Sequence, residues 1–189
     1  MKKTVAGLCA ALLIPAFLLA SDDNSTEIEQ AKKATAAFGG ALKSELVKAM
    51  QSGGAIAAID VCHTRADEIA ETLSKKTGMN VSRVSAKNRN PGNAANDWQL
   101  NVLRSFDERR ESGEAPGSLT WNETVENAKG AEFRFMKAIP TGGLCLQCHG
   151  TAIAPEVSTR LDELYPDDKA TGYSEGQIRG AFLVTRQLD

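Results

Sequence analysis

Cys145-Leu146-Gln147-Cys148-His149-Gly150, late in a chain of 189 residues, carries the pattern C-x-x-C-H. Two thiols three positions apart, with an imidazole directly after the second, match the covalent attachment site of a c-type haem. The chemistry assigns each position a task. Cys145 and Cys148 can each add to one of the two vinyl groups on an edge of the ring, and His149 is placed to reach the iron as an axial ligand. Three plainer readings compete: a redox dithiol, half of a zinc site and a local disulfide. A redox pair is expected near the start of a helix after an early strand, whereas this one follows Pro140-Thr141-Gly142-Gly143 deep in the chain. A zinc site wants a second ligand pair and rarely uses sequence neighbours such as Cys148 and His149. The pattern therefore reads first as one haem c per chain.

The segments around the motif are strand-rich. Residues 118–122 and 131–139 both alternate apolar with polar side chains, are separated by the turn-forming residues 126–130, and read as an antiparallel pair. Phe133 and Phe135 then share one face, with Arg134 and Met136 on the other. The second strand leads directly into the motif. Downstream, residues 155–165 read as a short helix, 166–176 as a loop and 177–186 as a final strand carrying Ile178, Ala181, Leu183 and Val184. Upstream, residues 79–85 read as a short strand running into the turn-rich Lys87-Asn88-Arg89-Asn90-Pro91-Gly92-Asn93. Residues 97–110 return to helical spacing, with Trp98, Val102, Leu103 and Phe106 on one side and Trp98 expected in the core. Arg83, Lys87 and Arg89 are candidates to face the two haem propionates, because guanidinium and ammonium groups pair with carboxylates.

Two helices open the chain after its leader. Ile28, Ala31, Phe38, Leu42, Leu46 and Ala49 recur at helical spacing, predicting a long amphipathic helix whose apolar stripe packs on its own core or forms a homodimer. Ser52-Gly53-Gly54 breaks it, and a second helix runs from Ala55 to about Lys75, ended by Gly78. On that helix the remaining thiol sits beside the other histidine, as Val61-Cys62-His63. The summed direction of Ile56, Ile59, Val61, Ile69 and Leu73 lies nearer Cys62 than His63, so Cys62 points more directly inward. From the residues alone, the second axial position is open to Cys62, His63, a methionine or water, or is vacant, and a lone buried Cys is often only a small apolar residue.

Residues 1–20 read as a secretory signal: Lys2 and Lys3, an apolar run from Val5 to Leu19 interrupted by Pro15, then Ala20 before Ser21-Asp22-Asp23. The run is short for a membrane span. Cleavage is expected after Ala20, although Leu18 is larger than the preferred small residue, which leaves a retained membrane anchor as the alternative. Cys9 lies inside the run and not at its end, against lipid attachment. Residues 21–189 then form a single domain. The whole chain has 22 basic and 24 acidic residues, a formal charge of −2. Without Lys2 and Lys3 the count is 20 against 24, or −4. No basic patch suggests a nucleic-acid surface. Export agrees with haem c, which is attached outside the bacterial inner membrane.

A small all-helical cytochrome would carry C-x-x-C-H near its N-terminus and a methionine ligand near its end. This chain resembles instead the exported c-type haem proteins with a Per-Arnt-Sim (PAS)-like fold, also found as the sensing parts of bacterial histidine kinases and chemotaxis receptors. The resemblance spans most of the chain beyond the leader. It rests on Ile59-Asp60-Val61-Cys62, on Arg83-Val84-Ser85 with Arg89-Asn90-Pro91-Gly92-Asn93, on the haem motif, and on Ala170-Thr171-Gly172-Tyr173 with Gly176 and Arg179-Gly180-Ala181. It implies an α+β fold, a PAS-like antiparallel sheet flanked by helices with a long N-terminal amphipathic helix. It also implies a haem held by Cys145 and Cys148, with His149 and the Cys62 thiolate as axial ligands. No kinase or receptor module follows Asp189, so the chain is expected to act alone or through a redox or signalling partner.

The expected role is a periplasmic haem protein that senses redox state or a small ligand. A thiolate ligand favours ferric iron and a low potential, and its loss on reduction would open the iron to CO or NO. The alternatives are an electron-transfer cytochrome serving a periplasmic partner, and a zinc protein using Cys62, Cys145, Cys148 and one histidine. The chain is not expected to be an enzyme; a peroxidase would need an open iron face with a distal acid–base group, for which His63 is the one free histidine.

Overall fold

The computed structural model describes residues 24–188; the expected leader and its cleavage site lie outside the described residues. The element order is α1 (Ser25–Thr77), β1 (Asn80–Val84), α2 (Asp97–Glu111), β2 (Thr120–Asn127), β3 (Gly130–Pro140), α3 (Leu146–His149), α4 (Pro155–Leu164) and β4 (Ile178–Gln187). The strands form one sheet in the order β1-β4-β3-β2, every neighbour antiparallel. This α+β architecture, a sheet flanked by helices behind a long N-terminal helix, is consistent with the PAS-like arrangement expected.

α1 consists of two helical arms joined at Gly53 and Gly54, which alone leave helical dihedrals. Gly54 sits at φ 67°, ψ −158°, a conformation accessible essentially only without a Cβ. The break expected at Ser52-Gly53-Gly54 is therefore a change of direction and not an end. α1 closes at Gly78, whose φ of 68° and N–H bond to the Ser74 carbonyl make a left-handed C-cap.

Strand alternation distributes the apolar side chains between two layers. On one face, Phe133, Phe135, Val81 and Val184 meet Ala31, Ala34 and Phe38 of the first arm. This part of the stripe, Ala31, Ala34 and Phe38, is thus packed on the chain's own sheet. On the other face, Met136, Ala138, Ala181 and Leu183 meet Val102, Leu103 and Phe106 of α2. α2 begins with a reciprocal cap: the Gln99 N–H donates to Asn96 Oδ1, and the Asn96 N–H to Gln99 Oε1. Trp98 is only partly buried; it stacks on Trp121 at 5.6 Å with the Arg134 guanidinium 4.7 Å from its ring centre. A third cluster joins Val157, Leu161 and Tyr165 at α4 to Ile59 on the second arm of α1, with Cys148 packed against it.

Candidate functional site

The motif is held from both sides by backbone bonds. As β3 ends, the Thr141 N–H donates to the Gln177 carbonyl and the Gly176 N–H to the Thr141 carbonyl, both at 2.8 Å. Cys145 ends a short 3-10 turn that runs straight into α3, which carries Cys148 and His149. Beyond it the Tyr173 N–H donates to the His149 carbonyl and the Gly172 N–H to the Gly150 carbonyl, both at 2.9 Å. A Cβ on Gly150 would lie 2.5 Å from the Leu146 carbonyl oxygen, so the turn after His149 closes only with glycine.

The cavity beside α3 has about 1180 Å³ of unfilled space, its open mouth included. Leu42, Leu46 and Met50 on the first arm of α1, Ile59 on the second and Ile139 on β3 give it apolar walls. Leu144, 38% exposed, also lines it. Cys62, Cys145, Cys148 and His149 all line this one cavity. None of these three sulfurs is bonded to another in the structure. Among the described residues, no three His, Cys, Asp or Glu side chains are drawn up as a metal-ion site, so the Cys3His zinc reading finds no compact ligand set.

His149 is poised as a ligand. Its Nδ1 lies 2.7 Å from the Ala170 carbonyl oxygen and 3.2 Å from Arg179 Nε. These contacts demand opposite tautomers, and the shorter one decides: two acceptors at that distance would repel, so Nδ1–H donates to Ala170 and Nε2 keeps its lone pair. Burial, then the charges of Arg179 and Arg89, hold the imidazole pKa down to about 2, so the ring is neutral. A neutral imidazole donating its other N–H to a backbone carbonyl is the usual support of a metal-bound histidine.

Burial pushes the Cys62 thiol above its ordinary value, against the pull of Arg83, Arg89 and Arg179. Burial likewise raises Cys148, opposed by Arg89, and Tyr165, which reaches about 12. The guanidiniums differ in how they are balanced. Arg89 is paired: Nε and Nη2 both reach Asp168 Oδ2 at 2.9 Å, and Nη2 also donates to the Cys148 carbonyl. Arg83 has no hydrogen bond or ion pair among the described residues; it lies 5.6 Å from the Phe38 ring centre, and burial lowers its pKa. Arg179 donates to neutral oxygens, Ser85 Oγ at 2.9 Å and the Lys87 carbonyl at 3.1 Å, and burial lowers its pKa too. Two desolvated cations thus line the cavity with no carboxylate in direct ion-pair contact, Asp67 and Asp168 acting on them only from further off, an arrangement that favours an anionic occupant.

Of the residues singled out from the sequence, Cys145, Cys148, His149, Cys62, Arg83 and Arg89 meet at this cavity. His63 does not line it; exposed, it sits edge-on to Tyr165 with ring centres 5.2 Å apart. Lys87 does not line it either: its amine donates to the Thr171 carbonyl at 2.7 Å, outside this cavity, and it is exposed. Arg89, expected to face propionates, is mainly committed to Asp168. Arg179 was not singled out as a charge for the site, although it stands within a quoted stretch; nothing local to Arg179-Gly180-Ala181 indicates that the fold brings it to His149.

Together these features define a class: an α+β domain with an antiparallel sheet and a cleft that gathers three thiols, a neutral imidazole and two unbalanced guanidiniums. The chain belongs to the Tll0287-like family, whose profile matches residues 16–186. In fold it is similar to the solved structure described as the crystal structure of the cyanobacterial heme-protein Tll0287. The TM-score is 0.62 at 21% sequence identity, covering 89% of this chain and 98% of that one. No curated protein matches the chain.

Proposed function

We propose that this chain is a periplasmic c-type haem protein with a redox- or small-ligand-sensing role, carrying one haem in the cavity beside α3. The observation that carries the reading is the convergence of Cys145, Cys148 and a neutral, carbonyl-anchored His149 on one cleft. Family membership supports it, as does the likeness to a protein described as a heme-protein. The residues present fit the group: two thiols for thioether bonds, the free Nε2 lone pair of His149, the Cys62 sulfur on the second arm of α1, and Arg83 and Arg179 for two propionates. Bound there, the haem supplies a one-electron ferric/ferrous couple and an iron centre able to take a small ligand.

The chain's own residues perform the rest. Ala170 holds the His149 ring in one tautomer. The apolar side chains of Leu42, Leu46, Met50 and Ile59 lower the polarity of the cleft walls, which strengthens charge interactions against them. Arg83 and Arg179 favour negative charge there, whether on propionates or on a Cys62 thiolate. A pyridine haemochrome spectrum on protein exported by a host that attaches haem c is expected to show one covalent haem per chain. Protein that folds and is exported but carries none refutes the reading.

A further inference from the structure

A second hollow, of about 620 Å³ with its mouth included, lies between α2 and the loop that anchors the motif. Its polar wall includes Lys87, Tyr173, Gln177, Arg179 and Asp107. The donors of this wall outnumber their partners. Lys87 Nζ gives one proton to the Thr171 carbonyl and lies 4.8 Å from the Tyr173 ring centre, leaving two ammonium protons. Gln177 uses Oε1 to accept the Ser174 N–H at 2.9 Å, while its Nε2 donates to nothing among the described residues. The Tyr173 hydroxyl and Arg179 Nη2 also have no protein partner among the described residues. Against Lys87 and Arg179, the latter shared with the motif cavity, stands one lining carboxylate, Asp107, already contacted by Arg110 Nε at 3.4 Å.

We infer that this hollow is a binding site for a small monocarboxylate. A carboxylate offers two oxygens, each able to accept more than one hydrogen bond, to the ammonium, guanidinium, amide and hydroxyl donors of the wall. Asp107 disfavours a second negative charge on the ligand. Leu103 and Ile178, which complete the lining, give a short alkyl tail an apolar surface. Arg179 belongs to both cavities and stands 3.2 Å from His149 Nδ1. Occupancy therefore draws on the guanidinium that faces the axial histidine; this link, unlike the binding itself, rests on the haem reading above.

Isothermal titration of the exported full chain with sodium butyrate tests the site, with butyramide as the neutral isostere and inorganic phosphate as the competing anion. Saturable butyrate binding is expected, with none for butyramide and weaker binding of phosphate. Lys87→Gln is expected to weaken butyrate binding about tenfold, the loss of one charge-assisted hydrogen bond, with haem content unchanged. Gln177→Ala is a second variant with the same direction. Absence of saturable binding, equal binding of butyramide or phosphate, or unchanged affinity in both variants overturns the proposal. Haem-free protein that still binds butyrate would refute the haem reading and leave this site standing; haem-loaded protein that does not bind it refutes this site alone.

Discussion

Replacing Asp168 by asparagine removes one charge from an ion pair that is nearly closed to solvent. The side chains of Arg89 and Asp168 are 11% and 9% exposed, and Oδ2 receives both Nε and Nη2 at 2.9 Å. Asparagine can keep the oxygen that accepts the Ala170 N–H at 2.8 Å, which spares the loop that positions the His149 acceptor, while its NH2 replaces Oδ2, so the charge and both hydrogen bonds from Arg89 are lost together. Breaking a buried pair from one side leaves the other charge uncompensated, at a cost of about 3–5 kcal/mol. With a urea m-value of about 2 kcal/mol/M, the unfolding midpoint should fall by about 1.5–2.5 M. Far-UV circular dichroism in urea reads this, and constancy of m is the check that the change is one of stability. Glu114→Gln is the control: its partner Arg109 and Glu114 itself are 38% and 50% exposed, so its loss should stay below about 1 kcal/mol. If Asp168→Asn behaves like that control, the Arg89 charge is balanced elsewhere and the buried clamp on the Cys148 carbonyl is not what stabilises the motif.

Cys62→Ala should change the absorption spectrum in at least one oxidation state, while His63→Ala, at an exposed position outside the cavity, should leave it unaltered; identical spectra for wild type and Cys62→Ala would falsify thiolate ligation. Adding CO to the reduced protein should produce a new Soret band if Cys62 leaves the iron on reduction, whereas a six-coordinate electron carrier would show no change. Gly54→Ala should destabilise the fold by about 1–3 kcal/mol, because alanine is strained at φ 67°, ψ −158°; thermal unfolding unshifted from wild type would mean that the two arms of α1 can rejoin at another angle. Phe38→Ala empties a position that is 1% exposed between α1, β3 and β4 and should cost about 3–5 kcal/mol in denaturant unfolding.

Much of the fold was readable because it depends on local repetition. Helical spacing located both arms of α1 and α2, and the period-two pattern placed Phe133 and Phe135 opposite Met136, as the two core layers show. Helical phase also separated Cys62 from its neighbour His63, since adjacent helix positions point about 100° apart. Where a residue's role depends on partners far along the chain, local pattern is silent. Lys87 and Arg179 are an example. Both are cations near turn-forming residues, yet the pairing of β1 with β4 and the loop at 170–173 turn Lys87 away from the motif cavity and bring Arg179 to His149. Arg89 looked free for a ligand until the fold placed Asp168 against it. Trp98, apolar by spacing, stays partly open because its neighbour across the layer is another tryptophan capped by Arg134.

The C-x-x-C-H pattern itself is a matter of sequence alone, because its two thiols and the imidazole that follows lie within five positions of one another. Which charges and thiols surround that motif was decided by tertiary structure. Between Cys62 and Cys145 lie the end of α1, β1, α2 and a hairpin, and the fold, with α4 packed on the second arm, places both at the same cleft. The tautomer of His149 depends on a carbonyl at Ala170, and the unbalanced charge of the site on where Asp168 is spent. Such properties come from desolvation and from partners distant in sequence, and neither exists until the chain has folded.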